Sequence, residues 1–128
     1  MIVGVGIDVV DITHFKRVLS KGGDSFVKKV FSKSEQKEAL KLKQNVQLKY
    51  FAKRYAAKEA FVKALGTGFG PINIQDVWVE KLPQGQPVLK LSTNAQKYVK
   101  RKLKHPFQTH LSLSDDKTAV AIVILEQI

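Results

Sequence analysis

The stretch RYAAKEAFVKALGTGFG, residues 54–70, reads as the C-terminal half of a long helix that runs into a glycine loop. Glu59 and Lys63 are one helical turn apart and share a face, and Lys58 lies about 100° round the helix from Glu59. A carboxylate beside ammonium groups suits a divalent metal together with a phosphate ligand. The alternative is an ordinary solvated helix face that stops at Gly66, and taken alone the stretch favours that alternative.

The composition is that of one folded domain, which we place at residues 1–128. The chain is 44% hydrophobic and 26% charged, and its length is sufficient to bury a core. The absence of cysteine excludes disulfides, thiolate catalysis and cysteine-ligated zinc. No apolar run approaches the ~20 residues of a membrane span, and the first residues lack the basic start of a secretion signal. We therefore expect a cytoplasmic protein without membrane contact.

The chain is strongly basic, with a formal net charge of +11 from 22 Lys and Arg against 11 Asp and Glu. Such an excess attracts anionic partners and speeds their encounter. Nucleic acid, an acidic protein and a phosphorylated small molecule are all candidates. The basic residues are spread from Lys16 to Lys117, so the positive field belongs to the folded body rather than to a tail.

Residues 2–10, IVGVGIDVV, form an apolar run typical of a buried strand. The two glycines do not complete a dinucleotide fingerprint, because Val9 stands where the third glycine would be. Asp8 is costly at the end of a buried strand unless it is paired, hydrogen-bonded or metal-bound. Asp11 is better placed to cap a helix over 12–20, so Asp8 remains a candidate ligand.

The middle of the chain is predicted to be helical. A short segment within 24–30 precedes a capping box at 32–35, which opens a helix over 33–43. Asn45 is placed to cap the long helix over 46–65. The apolar stripe of that helix contains Leu48, Phe51, Ala52, Tyr55, Ala56 and Val62.

The second half of the chain changes from helical to strand periodicity. Residues 74–80 and 87–91 alternate like two strands, and a helix over 93–104 follows. Residues 107–114 and 118–126 read as two antiparallel strands joined by a short turn. Strands towards both ends with helices between them predict an α+β fold, in which an antiparallel sheet packs with helices.

Four segments in this order resemble the holo-[acyl-carrier-protein] synthase family, a class of 4′-phosphopantetheinyl transferases. The most specific is the one at 54–70, with an aromatic, two small residues, K-E-A and K-A-x-G-T-G; the others are GVGIDVVDI at 4–12, FSKSE at 31–35 and HLSLSDDKTAVAIVILE at 110–126. The resemblance spans essentially the whole chain. It implies transfer of 4′-phosphopantetheine from coenzyme A to a serine of apo acyl carrier protein, releasing adenosine 3′,5′-bisphosphate, for fatty acid biosynthesis.

The resemblance also assigns the catalytic residues. It implies that Asp8 and Glu59 bind Mg²⁺ against the coenzyme A pyrophosphate, with Lys63 on the leaving-group side. One or two carboxylates with substrate phosphates and water is the ligand set that Mg²⁺ prefers. We hypothesise that Glu59, directly or through a water on the metal, accepts the serine proton, and a free water is the alternative acceptor.

Further residues are assigned to coenzyme A and to the carrier. Lys58 and the loop residues Gly66, Thr67 and Gly68 would contact the pyrophosphate, with Lys63. Arg54 and His110 would lie near the ribose 3′-phosphate. Because acyl carrier proteins are strongly acidic, a basic surface would dock one, and the candidates are His14, Arg17, Lys21, Lys28 and Lys29. The alternative is that these side chains only keep the protein in solution.

Family members are typically trimers with coenzyme A at a subunit boundary, so the resemblance implies a homotrimer. The chain departs from the family where His14 replaces a common arginine, which makes carrier docking weaker or pH-sensitive. Asp11 replaces a common glutamate. Asp115 replaces a common histidine, which puts a catalytic role at that position in doubt.

Two other functions compete with this assignment. A basic nucleic-acid-binding domain fits the charge, but the chain has no aromatic RNA-binding motif, helix-turn-helix or zinc pattern. A degenerate relative that binds coenzyme A or the carrier without catalysis is the second, and the intact set of Asp8, Glu59 and Lys63 argues against it.

Overall fold

The computed structural model describes all residues, 1–128. The chain contains five strands and four α-helices, with one short 3₁₀ turn at Ile74–Asp76. In chain order the elements are β1 (Ile2–Asp11), α1 (Ile12–Val30), α2 (Lys33–Ala39), α3 (Gln44–Leu65), β2 (Val77–Lys81), β3 (Pro87–Leu91), α4 (Thr93–Leu103), β4 (Phe107–Asp115) and β5 (Thr118–Gln127). None of the helices is both long and apolar enough to cross a membrane.

The main sheet is antiparallel, with strand order β1-β5-β4, and β2 and β3 form a separate hairpin. In the register of the main sheet, Asp8 of β1 pairs with Ala121 of β5. The inner face of β5 is almost closed to solvent, and α3 covers it. Its buried residues are Ala119, Ala121, Val123 and Leu125. The prediction of an α+β fold with an antiparallel sheet is confirmed.

The two glycines of β1 bring the strand against the backbone of α3. A Cβ at Gly6 would lie 1.8 Å from the carbonyl oxygen of Ala60, and one at Gly4 would lie 1.9 Å from that of Ala64. Only residues without a side chain permit this approach. The glycines of the GVG motif therefore serve helix–strand packing, which fixes β1 and α3 relative to each other.

We expect Gly6→Ala to destabilise the protein by about 1–3 kcal/mol or more, because a methyl group meets backbone that cannot rotate away. Urea denaturation measures the change. The control is Leu40→Ala, at an 81% exposed leucine away from the sheet, where we expect a much smaller loss. Equal losses for the two variants would contradict the packing role of Gly6.

The helical middle of the chain differs from the prediction at its boundaries. The helices predicted at 12–20 and within 24–30 are the two parts of α1, which breaks at Gly23, with φ +58°. Helix α2 stops four residues before the predicted end, because the amides of Lys41 and Leu42 bond to carbonyls three residues back and close a tight turn. The Ser32–Glu35 capping box is present as predicted.

Two other local predictions were wrong. Helix α3 begins at Gln44 without a side-chain cap, so Asn45 does not start it. Residues 74–76 form a 3₁₀ turn, in which the Asn73 side chain accepts a hydrogen bond from the amide of Gln75, and the strand starts only at Val77. The cap by Asp11 is confirmed, since its carboxylate accepts a 2.8 Å hydrogen bond from the amide of His14.

Candidate active site

The close packing of β1 on α3 brings Asp8 against Lys63. The Lys63 ammonium lies 2.9 Å from Asp8 Oδ1 and donates a 3.1 Å hydrogen bond to the carbonyl of Ile7. The Asp8 side chain is 16% exposed and that of Lys63 is 53% exposed. The expected buried strand is thus exposed on its outer face, and Asp8 lies on its inner face, three residues before its end, paired with a cation that solvent and ligands can reach.

Tyr55, Glu59 and Lys63 follow one another at four-residue spacing along α3 and so form one row on the helix surface. Burial raises the pKa of Tyr55, and so do the charge of Glu59, a hydrogen bond to Glu59 and the charge of Asp8. The carboxylates of Glu59 and Asp8 therefore both raise the pKa of the Tyr55 hydroxyl. The sequence places Tyr55 in the apolar stripe alone, whereas in the structure the charges of both predicted metal ligands act on its hydroxyl.

We expect stability to fall as the pH rises above 10.0, the ordinary pKa of tyrosine. The folded state holds the Tyr55 proton more tightly than the unfolded chain does, so folding is progressively disfavoured between 10.0 and the raised pKa. In Tyr55→Phe this dependence is reduced, and urea denaturation at several alkaline pH values measures it. An unchanged pH dependence in the variant would show that Tyr55 does not titrate as the structure indicates.

The donor set fits a Mg²⁺ ion. The structure contains no group of three or more histidine, aspartate or glutamate side chains that could hold a metal without other ligands. Two carboxylates on facing elements instead leave coordination positions for phosphate oxygens and water, which is how proteins commonly bind Mg²⁺. Asp8 and Glu59 would hold such an ion, and Lys63 would then give up its contact with Asp8.

Lys58 is not at the surface, which corrects the expectation that it contacts a pyrophosphate. Its side chain is 0% exposed and its ammonium lies 2.8 Å from Glu35 Oε1, also 0% exposed. The ammonium also donates to the carbonyls of Val77 and Ile74. Burial lowers the pKa of Lys58, and the charge and hydrogen bond of Glu35 oppose that shift.

Sequence reasoning missed this pair because Glu35 already had a role in the capping box. A signal was available: Lys58 lies seven residues after Phe51 and seven before Leu65, both buried, so it shares their face of the helix. A lysine in an apolar stripe requires a buried partner, and Glu35 is that partner.

The loop after α3 offers fewer free amides than predicted. The amides of Gly66 and Thr67 bond to carbonyls in the last turn of the helix. Gly66 and Gly68 both have positive φ, of +81° and +66°. The amide of Gly68 has no acceptor within the protein, so it is the one of the three that is available to a phosphate oxygen.

Arg54 lines a cavity of about 730 Å³ between α2, α3 and β2. It is 5% exposed, and its Nε has no hydrogen-bond partner. Its guanidinium lies 3.8 Å from the centroid of the Tyr50 ring. Asp115 at the edge of this cavity pairs with Lys53 at 3.1 Å and Lys49 at 3.8 Å, so the residue that replaces the common histidine joins β4 to α3.

His110 lies on the outer face of the main sheet, away from α3. Its neighbours Leu111 and Leu113 point towards the helix and are partly buried, whereas Ser112 is exposed beside it. His110 Nε2 lies 2.8 Å from Oε1 of Glu126, which sequence reasoning missed. Within one chain, no hydrogen bond or ion pair joins His110 to Arg54, so the structure does not bring this predicted pair together.

The predicted carrier-docking residues are all on α1 and all exposed. Helix α1 begins directly after β1. Its first exposed candidate, His14, lies six residues after Asp8 in the sequence. The exposed residues are His14, Arg17, Lys21, Lys28 and Lys29.

Comparison with known proteins identifies the family of the chain. Residues 4–123 match the model of the ACPS family, described as the 4′-phosphopantetheinyl transferase superfamily. The chain is 49% identical to a holo-[acyl-carrier-protein] synthase of Ruthia magnifica subsp. Calyptogena magnifica, with 98% of each chain covered.

Solved structures give the same result for the fold. A holo-(acyl-carrier-protein) synthase from Bacillus anthracis in complex with CoA (3′,5′-ADP) superimposes with a TM-score of 0.83 at 35% identity, covering 100% of this chain and 99% of that one. The holo-[acyl-carrier-protein] synthase from Neisseria meningitidis gives a TM-score of 0.90 at 30% identity, covering 99% and 100%. The chain therefore belongs to the 4′-phosphopantetheinyl transferase superfamily.

Proposed function

We propose that the protein is a holo-[acyl-carrier-protein] synthase, which transfers 4′-phosphopantetheine from coenzyme A to a serine of apo acyl carrier protein. The observation that carries the proposal is the contact of Asp8 on β1 with Lys63 on α3, beside Glu59. Relatives named as such synthases match essentially the whole chain. No comparison supports the alternative of a nucleic-acid-binding domain.

Asp8 and Glu59 are the proposed Mg²⁺ ligands, and the ion when bound supplies positive charge to the pyrophosphate oxygens of coenzyme A. The Lys63 side chain is 53% exposed, so its ammonium is accessible to a ligand as well as to Asp8. If Asp8 held a metal ion, Lys63 would be free to neutralise the leaving phosphate.

In the proposed reaction the carrier serine oxygen attacks the β-phosphorus of coenzyme A. The bond from that phosphorus to the bridging oxygen breaks, and adenosine 3′,5′-bisphosphate leaves with the negative charge. Glu59 accepts the serine proton, and Lys63 stabilises the charge that develops on the leaving side. The Tyr55 hydroxyl is close to Glu59 and would orient the carboxylate by donating a hydrogen bond to it.

Coenzyme A is proposed to bind with its pyrophosphate near Lys63 and the Gly68 amide. Arg54 suits an anion such as the 3′-phosphate, since its buried Nε has no partner in the chain. His110 faces the other side of the sheet, so it reaches the same phosphate only if it comes from a neighbouring subunit. The expected pairing of Arg54 with His110 thus requires an oligomer.

We propose a homotrimer, as the resemblance implies. The outer face of β1 exposes a row of apolar side chains, Val3, Val5, Ile7 and Val9, of which Val5 is 56% exposed. Contiguous apolar patches of this kind mark surfaces that another protein covers, and the same sheet carries His110 on that face. A second copy of the chain buries the patch and brings His110 to a subunit boundary.

We expect Val5→Glu to dissociate the trimer, because it places a charge in the middle of the proposed apolar contact. Sedimentation velocity measures the assembly state. The control is Leu40→Glu, which changes an 81% exposed leucine away from the sheet and should leave the trimer intact. A wild-type protein that sediments as a monomer would contradict the trimer.

The acidic carrier is proposed to dock on the exposed basic residues of α1, which start close to Asp8. Charge complementarity of this kind accelerates association and sets orientation. A cytoplasmic location and a role in fatty acid biosynthesis are part of the same proposal.

Intact-mass spectrometry tests the function directly. Apo acyl carrier protein is incubated with the protein and coenzyme A, with Mg²⁺ or with a chelator. We expect a gain of one phosphopantetheine group that depends on the metal. No gain with several apo carriers would reduce the protein to a relative that binds without catalysing transfer.

A further inference from the structure

Lys58 and Glu35 form a buried ion pair that the proposed reaction does not use. Glu35 Oε1 accepts from the amide of Ser32 at 3.0 Å as well as from Lys58, and Oε2 accepts a 3.1 Å hydrogen bond from the amide of Val79. Lys58 donates in turn to Val77 and Ile74. The pair therefore joins the start of α2, the middle of α3 and the start of β2, with its hydrogen bonds satisfied.

The pair lies on the side of α3 that faces away from β1. At 3.6 residues per turn, Lys58 and Ala60 point about 160° apart round the helix, with Glu59 between them. Ala60 presses against Gly6 of β1, and Lys58 is anchored in the core. The residues immediately before and after Glu59, Lys58 and Ala60, are thus held on nearly opposite sides of α3. These two contacts fix the rotation of the helix about its own axis.

This rotation decides where Glu59 points. Carboxylate atoms lie about 5–6 Å from the helix axis, so a rotation of about 10° moves them by about 1 Å. A misplacement of about 1 Å can lower a reaction rate about 10²-fold. Burying two charges gives little net stability compared with an apolar pair of the same volume, so stability alone is a weak reason for the ion pair.

We infer that Lys58 and Glu35 are positioning residues, which orient α3 so that Glu59 and Lys63 meet Asp8 in the geometry needed for metal binding and transfer. The inference rests on the proposed function for the roles of Glu59 and Lys63. It gives the lysine of the K-E-A motif a role inside the protein, in place of contact with coenzyme A.

The test is the double variant Glu35→Gln/Lys58→Met. The Gln oxygen accepts from only one of the two amides, Ser32 or Val79, and Met keeps the volume of Lys58 without leaving an unpaired charge, so the variant should lose some stability and still fold. We expect its affinity for Mn²⁺, followed by electron paramagnetic resonance without coenzyme A, to fall about 10- to 100-fold. We expect kcat to fall similarly, with KM for coenzyme A unchanged.

The matched control is Glu38→Gln/Lys41→Met, the same two changes in an exposed ion pair of 3.1 Å, which should leave both quantities unchanged. If the double core variant does not fold, Lys58→Arg, which keeps a cation beside Glu35, should show a smaller loss of both. Wild-type affinity and kcat in a folded core variant would overturn the inference. Wild-type protein without Mn²⁺ binding or transfer would instead overturn the proposed function, before any variant is compared.

Discussion

Glu59→Gln is expected to lower kcat for phosphopantetheine transfer by about 10²- to 10³-fold, the loss typical when a group that stabilises transition-state charge is removed. The amide neither bears the charge that binds a divalent cation nor accepts the serine proton. The weakened site should also require more Mg²⁺ for half-maximal rate. The rate of carrier modification over a Mg²⁺ series measures both effects.

Glu38→Gln is the matched control for this change. Glu38 is an exposed carboxylate on α2, paired only with Lys41, so its loss should leave kcat unchanged. Glu59→Gln with near-normal turnover at saturating Mg²⁺ would eliminate Glu59 as the proton acceptor. In that case a free water takes the proton, and Glu59 is left with metal binding at most.

Lys58→Met is expected to cost about 3–5 kcal/mol of folding stability, because it leaves Glu35 charged, buried and without its cation. That is a large part of the about 5–15 kcal/mol by which a domain is stable. Urea denaturation measures the loss. The double variant with Glu35→Gln should recover most of it, since the uncompensated charge is gone.

Lys41→Met removes the lysine of an exposed ion pair of similar length, 3.1 Å against 2.8 Å. Exposed pairs contribute at most about 1 kcal/mol, because water already solvates both charges. The contrast between the two lysines isolates the effect of burial. A loss below 1 kcal/mol for Lys58→Met would contradict the expectation that Glu35 needs its buried cation.

Periodicity and capping were sufficient to predict most of the fold. The strand at 2–10, the Ser32–Glu35 capping box and the two C-terminal strands were read from local patterns, and such patterns act within a few residues of each other. The errors lie at boundaries such as Asn45 and 74–76. At these positions the local sequence is compatible with more than one structure, and tertiary packing decides which one forms.

The sequence by itself determined the residue types that a metal and phosphate site requires, Asp8, Glu59 and Lys63, and their elements. Only the tertiary structure decided that Lys63 contacts Asp8 across 55 positions of the chain, because that contact depends on β1 lying against α3. It also decided that Lys58, next to Glu59 in sequence, points into the core. Successive side chains of a helix point about 100° apart. Of two neighbours in the sequence, one can therefore belong to the active site and the other to the core.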